Sequence, residues 1–506
     1  MSHRESGTEV SSDQGDLSAA PPPVAFDGQP ILFPELPYRW KGRTSHYLKD
    51  VKVRSFVAQA TDTKNRGRRA ALSGAFGNDT DAIRRLSGEI KQHTLDHLDL
   101  YLEKFIDQAE AAGAKVHFAE SAEEANQITV QLAQSHGVRH CVKSKSMVTE
   151  EVHLIGALEA AGIQAIETDL GEFIVQLDGD APSHIVMPMI HKDRRAVARA
   201  FERELGSVYT EEPEELTRIA RNYLRREFAR TDLGVTGGNF LVAETGSVVV
   251  CTNEGNGRFC ATTPRHQVVM VGIEKLVPDL PSLAPLLKLL ARSASGQEIT
   301  VYTQFLTGPR RTGEVDGPET LDIVLVDAGR SRILSQPTYR AALRCLRCGA
   351  CQNACPVYRN ATGHAYGSVY GGPIGAVITP LLRGIENYPD LPAASSLCGA
   401  CREACPVDID LPHMLVSLRR DLLQKKRLPW SKQLLLATFV RAFHSRRRFR
   451  FAQSLFRLVC RALSDGDSVR HIPGAGESWT KTRNLPVPAR ESFRDLWRRR
   501  RAKGER

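Results

Sequence analysis

The stretches "CLRCGACQNACPVY" (345–358) and "CGACREACPVDI" (398–409) hold seven of the eleven cysteines in this chain of 506 residues. Each stretch contains a Cys-Pro pair near its end. The first has the spacing C-x2-C-x2-C-x3-C-P, and the second repeats it without the first cysteine, where Ser395 stands instead. Clustered cysteines in a reducing compartment are more often metal ligands than disulfides. The two stretches therefore predict a metal centre.

The spacing indicates which metal group the thiolates hold. In such runs three thiolates of one loop bind a cubane iron–sulfur cluster, and the fourth, just before proline, binds a second cluster. Small residues such as Gly349 and Ala350 let backbone N–H groups approach the cluster sulfurs. Crossed ligation then predicts one cluster on Cys345, Cys348, Cys351 and Cys405, and another on Cys355, Cys398 and Cys401.

The second site has only three thiolates, which leaves its type open. It holds a three-iron (3Fe-4S) cluster, or a 4Fe-4S cluster with one iron bound by Ser395, a partner residue or solvent. Structural zinc prefers four ligands in two pairs and would leave three cysteines over. Disulfides are disfavoured in the cytoplasm. We therefore expect two iron–sulfur clusters, most simply 4Fe-4S, that form an electron relay.

Length and composition favour two or three domains in a protein with a substantial core, since 42% of the residues are hydrophobic. Residues 1–30 are predicted as a disordered tail, because they are polar and lack the apolar segment of a secretory signal. Residues 31–80 are predicted as an N-terminal arm. The most apolar segment, 434–443, is short and contains Arg441, so no membrane span is expected. These features predict a cytoplasmic protein.

Residues 81–330 have the pattern of an α/β domain, with buried sheet and covering helices. Apolar residues at helical spacing predict a helix over 82–112, and a glycine marks its end. Further helices are predicted over 150–161 and 210–230, and strands over 115–118 and 163–167. Two β-branched runs between 240 and 277 flank the glycine-rich turn "TNEGNGR". A helical cluster domain over 335–425 and a basic segment over 426–506 complete the chain.

A candidate anion pocket lies within the α/β domain. The segment "VKSKSMVTEE" (142–151) places lysines before a helix, and the turns after two strands carry acidic and amide side chains. Ligands bind at the carboxyl ends of strands in α/β sheets, and helix starts with lysines suit anions. Turns that need positive φ explain the nearby glycines as well, so both interpretations stay open. The candidate residues are Lys143, Lys145, Glu244, Asn253 and Glu254.

The C-terminal region is strongly basic. Residues 411–506 carry 24 Lys and Arg against 7 Asp and Glu, whereas the whole chain has a net charge of only +10. The stretch 434–463 has the pattern of a basic amphipathic helix, which suits a partner protein or an anionic lipid surface. A solvated helix packed on its own domain explains the pattern equally well. No nucleic-acid-binding motif accompanies the charge, so we expect no nucleic acid partner.

Several sequence blocks together resemble one known family. They are "GVTGGNFLVAETGSVVVCTNEGNGRFCATTPRHQVVMVGIEKLVP" (234–278), "YTQFLTGPRRTGEVDGPE" (302–319), "GHAYGSVYGGPIGAVITPLL" (363–382), the two cysteine runs, and "WTKTRNLPVPARESFRDLW" (479–497). In this order they are similar to the lactate-utilisation iron–sulfur protein B family. The resemblance spans about residue 45 to the C-terminus, and the N-terminal tail departs from it.

The resemblance implies a fold and a role. It implies an α/β LUD domain, similar in fold to sugar-phosphate isomerases, followed by an α-helical ferredoxin module with two clusters. It also implies that this chain acts with two companion subunits in the oxidation of L-lactate to pyruvate. The seven cysteines of the two runs would be the cluster ligands. The basic C-terminus would then contact the inner membrane surface or the quinone side of the pathway.

Two functions remain to be separated. No Rossmann G-x-G-x-x-G follows a predicted strand, so hydride chemistry is expected on another subunit and this chain would be a non-catalytic electron relay. Alternatively, the LUD domain binds or transforms a small anionic metabolite and the clusters sense redox state. A relay for another 2-hydroxy acid, such as glycolate, is a third interpretation. Turnover by the isolated chain would mark the second function.

Overall fold

The structure is a computed structural model that describes residues 36–425 and 430–503. The tail predicted for residues 1–30 lies outside these ranges. The chain divides into two compact units, one that ends at Leu422 and one that begins at Leu423. The first unit contains the predicted α/β region and both cysteine runs, so it carries the chemistry.

The first unit opens with helices and continues as an α/β region. The opening helices are α1 (Trp40–Tyr47), α2 (Val51–Phe76), α3 (Thr80–Asp96) and α4 (Leu98–Ala111). The α/β strands are β1 (Lys115–Ala119), β2 (His140–Lys143), β3 (Gln164–Glu167), β4 (Leu233–Thr236), β5 (Phe240–Val242), β6 (Ser247–Thr252), β7 (His266–Gly272), β8 (Leu276–Val277), β9 (Tyr302–Leu306) and β10 (Thr320–Val326). The helices between and after them are α5 (Ala122–Ser135), α6 (Met147–Glu151), α7 (Leu154–Ala160), α8 (Leu170–Leu177), α9 (Arg194–Leu205), α10 (Pro213–Arg230), α11 (Asn256–Thr262), α12 (Leu280–Ala294) and α13 (Arg330–Leu334).

Six of these strands form a parallel sheet in the order β1-β10-β7-β4-β2-β3. Side chains alternate between the faces of a strand, so Val268 and Met270 of β7 join one core cluster while Val269 and Val271 join another. Both faces are therefore buried, which explains the nearly continuous apolar sequence of β7 and β10. The α/β prediction is confirmed.

The remaining four strands form a second, smaller sheet in the order β8-β5-β6-β9. Strands β5 and β8 are parallel, whereas β6 is antiparallel to both β5 and β9. The β-branched runs predicted between 240 and 277 thus belong to two sheets. Helix α11 follows the glycine-rich turn and carries the chain from one sheet to the other.

Two of the predicted helices are each interrupted in the structure, so the prediction of one continuous helix is wrong in both cases. The helix predicted over 82–112 breaks at His97: both α3 and α4 contact β8, but α3 also packs on α12 whereas α4 also packs on β1. The helix predicted over 150–161 breaks at His153, which has a left-handed φ of 60°. Both breaks let neighbouring segments turn toward different packing partners. Hydrophobic spacing alone does not reveal such a turn.

The cysteine-bearing region is helical. Its helices are α14 (Ala350–Ala354), α15 (Pro356–Ala361), α16 (Gly372–Arg383), α17 (Ala400–Ala404) and α18 (Leu411–Lys425). Helix α2 packs against α12, α14 and α15, so it joins the α/β region to the cysteine region. At Gly363 the backbone passes so close to the loop after α8 that a Cβ atom would lie 1.6 Å from the Ser183 carbonyl oxygen. The two regions therefore share one continuous core.

The second unit is also mostly helical. It contains α19 (Trp430–Phe443), α20 (Arg446–Ala462), α21 (Glu477–Thr480) and α22 (Phe493–Ala502), with the short antiparallel strands β11 (Ser468–Val469) and β12 (Leu485–Pro486). Ser445 caps α20, since its hydroxyl accepts a hydrogen bond from the Arg448 N–H. None of the helices within 36–425 and 430–503 is long and apolar enough to cross a membrane.

Candidate iron–sulfur centre

The two cysteine loops have the same backbone conformation. Arg347 and Leu397, each just before a cysteine, have left-handed φ angles of 60° and 56°. Gly349 and Gly399, each just after that cysteine, have φ angles of 72° and 88° and start α14 and α17. Left-handed φ is costly for residues other than glycine, so its recurrence at Arg347 and Leu397 marks a conformation held by its surroundings. The loops are structural repeats.

Within this repeat Ser395 corresponds to Cys345. The Arg347 N–H donates a hydrogen bond to the Cys345 sulfur at 3.4 Å, and the Leu397 N–H donates one to the Ser395 hydroxyl oxygen at 3.1 Å. Each acceptor lies two residues before its donor. The serine oxygen therefore occupies the position in the second loop that a thiol sulfur occupies in the first.

The cysteines before the two prolines also match. The Tyr358 N–H donates to the Cys355 sulfur at 3.5 Å, and the Ile409 N–H donates to the Cys405 sulfur at 3.3 Å. Both cysteines close a short helix in extended conformation before the chain continues into the next helix or turn. Backbone N–H groups that donate hydrogen bonds to cysteine sulfur tune the reduction potential of iron–sulfur centres.

One apolar cavity gathers four thiols from both runs. Its polar lining comes mainly from the first loop and the cysteine before Pro406, and its apolar lining includes Ile185, Ile374 and Ile409. Burial raises the pKa of Cys405 to about 11, and the neighbouring Cys345 thiolate also raises it. Burial likewise raises the pKa of Cys348 to about 12, with smaller increases from Cys345 and Cys405. The four thiols are Cys345, Cys348, Cys351 and Cys405.

The remaining three cysteines neighbour one another. Burial raises the pKa of Cys401 to about 12, with further increases from Cys355 and then Cys398. Burial also raises the pKa of Cys355, to which Cys398 contributes. Cys398 is exposed, whereas the other two are buried. The structure thus brings Cys355 of the first run beside the two cysteines of the second run.

The cysteine thiols form no compact group of ligand atoms around a single-ion site within the described ranges. All eleven cysteines are free thiols. Over the part of the chain that the structure describes, the group of three ligand atoms within 4.8 Å of one another is Asp180, His191 and His364, with no cysteine among them. Tetrahedral zinc with Zn–S bonds of about 2.3 Å would draw its sulfurs to about 4 Å from one another. A single zinc ion would therefore require the cysteine side chains to move closer together.

A buried ion-pair network ties the first cysteine loop to the sheet. Arg330 donates to Glu151 and, at 2.6 Å, to Glu274. Glu274 also lies 3.6 Å from Arg347, whose guanidinium stacks 4.4 Å from the Tyr370 ring centroid. Sequence patterns did not single out Arg330, Glu274 or Arg347, because the network joins residues far apart in the chain.

A second cavity, of about 290 Å³, lies at the carboxyl ends of β2 and β4. Three of the five predicted pocket residues, Lys145, Asn253 and Glu254, line it. Lys143 is instead buried in an ion pair with Glu167 and lines a different cavity. The Glu244 carboxylate accepts the Leu280 N–H at the start of α12 and is not among the lining residues. On the other side, the cavity reaches Cys348.

Comparison with known proteins accounts for both halves of this arrangement. Residues 102–326 match the LUD domain, and residues 341–409 match the 4Fe-4S dicluster domain. Lactate utilization protein B of Shouchella clausii is 43% identical over 91% of this chain and 97% of its own length. The protein of the same name from Bacillus subtilis is 42% identical over 90% of this chain and 95% of its own length.

This chain belongs to the lactate utilization protein B family. Membership confirms the resemblance and the predicted fold, a LUD domain followed by a ferredoxin-type iron–sulfur module. It also indicates a role in lactate utilisation. A solved structure of a DUF162 family protein from Deinococcus radiodurans covers 45% of this chain and 98% of its own, at 14% identity and a TM-score of 0.26. That similarity is too low to inform the fold.

Proposed function

We propose that this protein is the electron-transfer subunit of a complex that oxidises L-lactate to pyruvate. The observation that carries the proposal is the pair of repeated cysteine loops, seven free thiols at iron–sulfur spacing, held in one rigid core with the LUD domain. Oxidation of a hydroxy acid releases two electrons. Two bound clusters in series would accept these electrons and pass them on one at a time. The hydride chemistry itself belongs to a companion subunit.

The ligand sets proposed from the spacing agree with the neighbours described above. Cys345, Cys348, Cys351 and Cys405 share one cavity and would hold the first cluster. Cys355, Cys398 and Cys401 would hold the second. For its remaining iron we propose the Ser395 hydroxyl, because Ser395 has the same local hydrogen bond as Cys345. A 4Fe-4S cluster then needs no partner residue.

The two ligand sets differ in solvent exposure, and this difference indicates which cluster exchanges electrons with a partner. The first set has no exposed cysteine: Cys345 is partly buried, and the other three are buried beside Ile185, Ile374 and Val407. The second set includes the exposed Cys398, and Leu397 beside it is also exposed. Since electron exchange between proteins needs close approach, the second cluster is the one that faces a partner. The first cluster faces the LUD domain.

The test uses the intact chain purified without oxygen, with and without its companion subunits. The proposal predicts that L-lactate bleaches the visible absorbance of the clusters only when the companions are present. The Cys345→Ser variant should lose electron transfer through the complex, and Cys141→Ser, in the α/β core, should retain it. Lactate oxidation by the isolated chain that survives Cys345→Ser would reject the relay and favour catalysis by the LUD domain.

The second unit offers a surface for an anionic lipid bilayer. On α20, Phe451, Leu455 and Leu458 recur at helical spacing and are half or more exposed. Arg450, Arg457 and Arg461 recur on another face, and no acidic residue interrupts the helix. Arginines beside exposed aromatic and aliphatic side chains match the headgroup and acyl boundary of an anionic membrane. We propose that α20 holds the protein peripherally at such a surface.

Vesicle flotation tests this contact with the full chain. Binding is expected to vesicles that contain phosphatidylglycerol and to weaken with salt and with neutral lipid. Leu458→Asp should abolish flotation, whereas Leu100→Asp, which also alters an exposed leucine but lies on α4, should not. Equal binding of wild type and Leu458→Asp would reject the lipid surface, as would binding to a companion protein alone.

A further inference from the structure

The cavity of about 290 Å³ lies where α/β sheets bind ligands, and the first cysteine loop forms part of its lining. Its floor is formed where β2 and β4 end, by Ser144, Lys145 and Gly237. Parallel α/β sheets bind ligands at that edge. Its opposite wall is the first cysteine loop, through Arg347 and Cys348. A molecule in this cavity would therefore touch both the LUD domain and a cluster ligand.

Cationic groups line the cavity without full partners. Arg347 has 7% side-chain exposure, and its Nη1 atom has no hydrogen-bond partner among the described residues. Lys275 is buried and also lines the cavity. Lys145 Nζ lies 3.4 Å from Glu172 but makes no hydrogen bond within the described ranges. Arg347 and Lys145 each face one carboxylate at 3.4–3.6 Å and keep buried donor capacity that forms no hydrogen bond, so an anionic acceptor in the cavity would satisfy it.

The rest of the lining offers neutral and acidic hydrogen-bonding groups. Thr252 and Thr300 provide hydroxyls, and Asn239 is held in place because its Oδ1 accepts the Cys251 N–H at 2.8 Å. Glu254 accepts the Leu170 N–H at 3.2 Å and lines the same space. A ligand with an anionic end and a hydroxyl or carbonyl group would find partners for both.

The volume sets the size of the occupant. Sites for drug-sized ligands begin at about 300 Å³, so this cavity suits a small metabolite with ordered water and not a nicotinamide or flavin dinucleotide. We propose that it binds a small hydroxy- or oxo-carboxylate, with the carboxylate held by Arg347, Lys275 and Lys145, against the wall that contains Cys348. This inference rests on the proposed function, because it gives this chain a binding site for the substrate class of the complex, while the hydride step stays on a companion subunit.

Charge compensation is the competing explanation. A cluster with four thiolates is anionic, and Arg347 and Lys275 would then serve only to neutralise it. That explanation predicts no small-molecule ligand, and it leaves Lys145, which lies at the strand edge and not in the cysteine loop, with its ion pair to Glu172 alone. Lys145 therefore separates the two explanations.

Isothermal titration of the anaerobic, cluster-loaded chain with pyruvate and with L-lactate provides the test, with inorganic phosphate as the comparison anion. Saturable binding of at least one carboxylate is expected. Lys145→Met and Lys275→Met should weaken it tenfold or more, and Ala294→Leu should block it by filling the cavity without a change of charge. The matched control is Lys288→Met, an exposed lysine on the same α12. It should bind like the wild type.

Iron content and visible absorbance show whether each variant retains its clusters. If Lys275→Met loses its clusters, the binding result for Lys145→Met alone tests the site. Binding should also change the paramagnetic resonance of one reduced cluster and leave the other unchanged. No carboxylate binding, binding of phosphate alone, or unchanged binding by Lys145→Met and Ala294→Leu would overturn the site. Such a failure is distinct from failure of the relay, which the lactate-reduction experiment with companion subunits measures.

Discussion

Arg330 donates two parallel hydrogen bonds of 2.9 Å to the carboxylate of Glu151. Arg330 begins α13 after the interior strand β10, and Glu151 ends α6, which follows the carboxyl end of β2. Tyr370, in the cysteine region, donates a hydrogen bond to the same carboxylate. The pair therefore fastens the carboxyl edge of the sheet to the module that carries the proposed clusters.

Removal of Arg330 is expected to destabilise the first unit strongly. The side chain is 1% exposed, so Arg330→Ala leaves the carboxylates of Glu151 and Glu274 buried without their partner. Breaking a buried ion pair in this way costs about 3–5 kcal/mol. Anaerobic urea unfolding measures the loss. The control is Arg265→Ala, whose ion pair with Glu319 is exposed to solvent and contributes little to stability. Equal effects of the two variants would contradict the fastening role.

Gly363 tests the close approach between the two regions of the first unit. Its Ala variant would place a methyl group 1.6 Å from the Ser183 carbonyl oxygen, so the loop must move. We expect a loss of about 3 kcal/mol in the free energy of unfolding, since overpacked sites cost this much. Gly74→Ala, inside α2 with nothing within 4 Å, should instead gain up to about 1 kcal/mol. A neutral Gly363→Ala would show that the approach is looser.

His184 should make the protein sensitive to acid. Burial lowers the pKa of His184 to about 3, while its hydrogen bond to Asn353 opposes the shift. Its Nδ1 accepts the N–H groups of Val186 and Met187, so the neutral ring is the one that fits.

As pH falls below about 6.5, the His184 imidazole binds a proton in the unfolded state but stays neutral in the folded state. The free energy of unfolding therefore decreases by up to about 1.4 kcal/mol per pH unit. Between pH 6.5 and 5 the loss approaches about 2 kcal/mol. Urea unfolding at pH 7.5 and 5 should show this loss in the wild type and a smaller one in His184→Gln. The same pH dependence in both proteins would exclude His184 as the cause.

Crossed ligation predicts opposite damage from two matched substitutions. Cys355→Ser should deplete the second cluster and spare most of the first, and Cys405→Ser should do the reverse. Iron content and paramagnetic resonance of the reduced protein distinguish the two clusters. If each substitution damaged the cluster of its own run, ligation would be local and not crossed.

Ser395 is expected to control the iron of the second cluster that lacks a cysteine. Ser395→Ala should lower the iron content by about one atom per chain or make that iron easy to chelate, because the hydroxyl ligand is gone. Ser395→Cys should make the second site resemble the first. Ser396→Ala, its exposed neighbour, is the control. Unchanged iron and unchanged resonance in Ser395→Ala would assign the ligand to solvent or a partner.

The sequence was sufficient for the parts of the fold that depend on local pattern. Runs of β-branched residues predicted buried strands of the α/β domain, and the cysteine spacing predicted two ligand sets that stay a prediction. The sequence did not predict the helix breaks at His97 and His153, because tertiary packing decides where a helix ends. The carboxyl-edge rule found Lys145, Asn253 and Glu254, but it could not show that Lys143 pairs with Glu167. Arg347 and Lys275 come together only through the three-dimensional fold.

Metal analysis of the anaerobically purified chain tests the central claim most directly. The account predicts brown protein with about eight iron atoms and matching sulfide per chain, or about seven iron atoms if the second cluster lacks one. Paramagnetic resonance of the reduced protein should show two interacting centres. Colourless protein that contains zinc, or no metal, with all seven thiols free to react would contradict it.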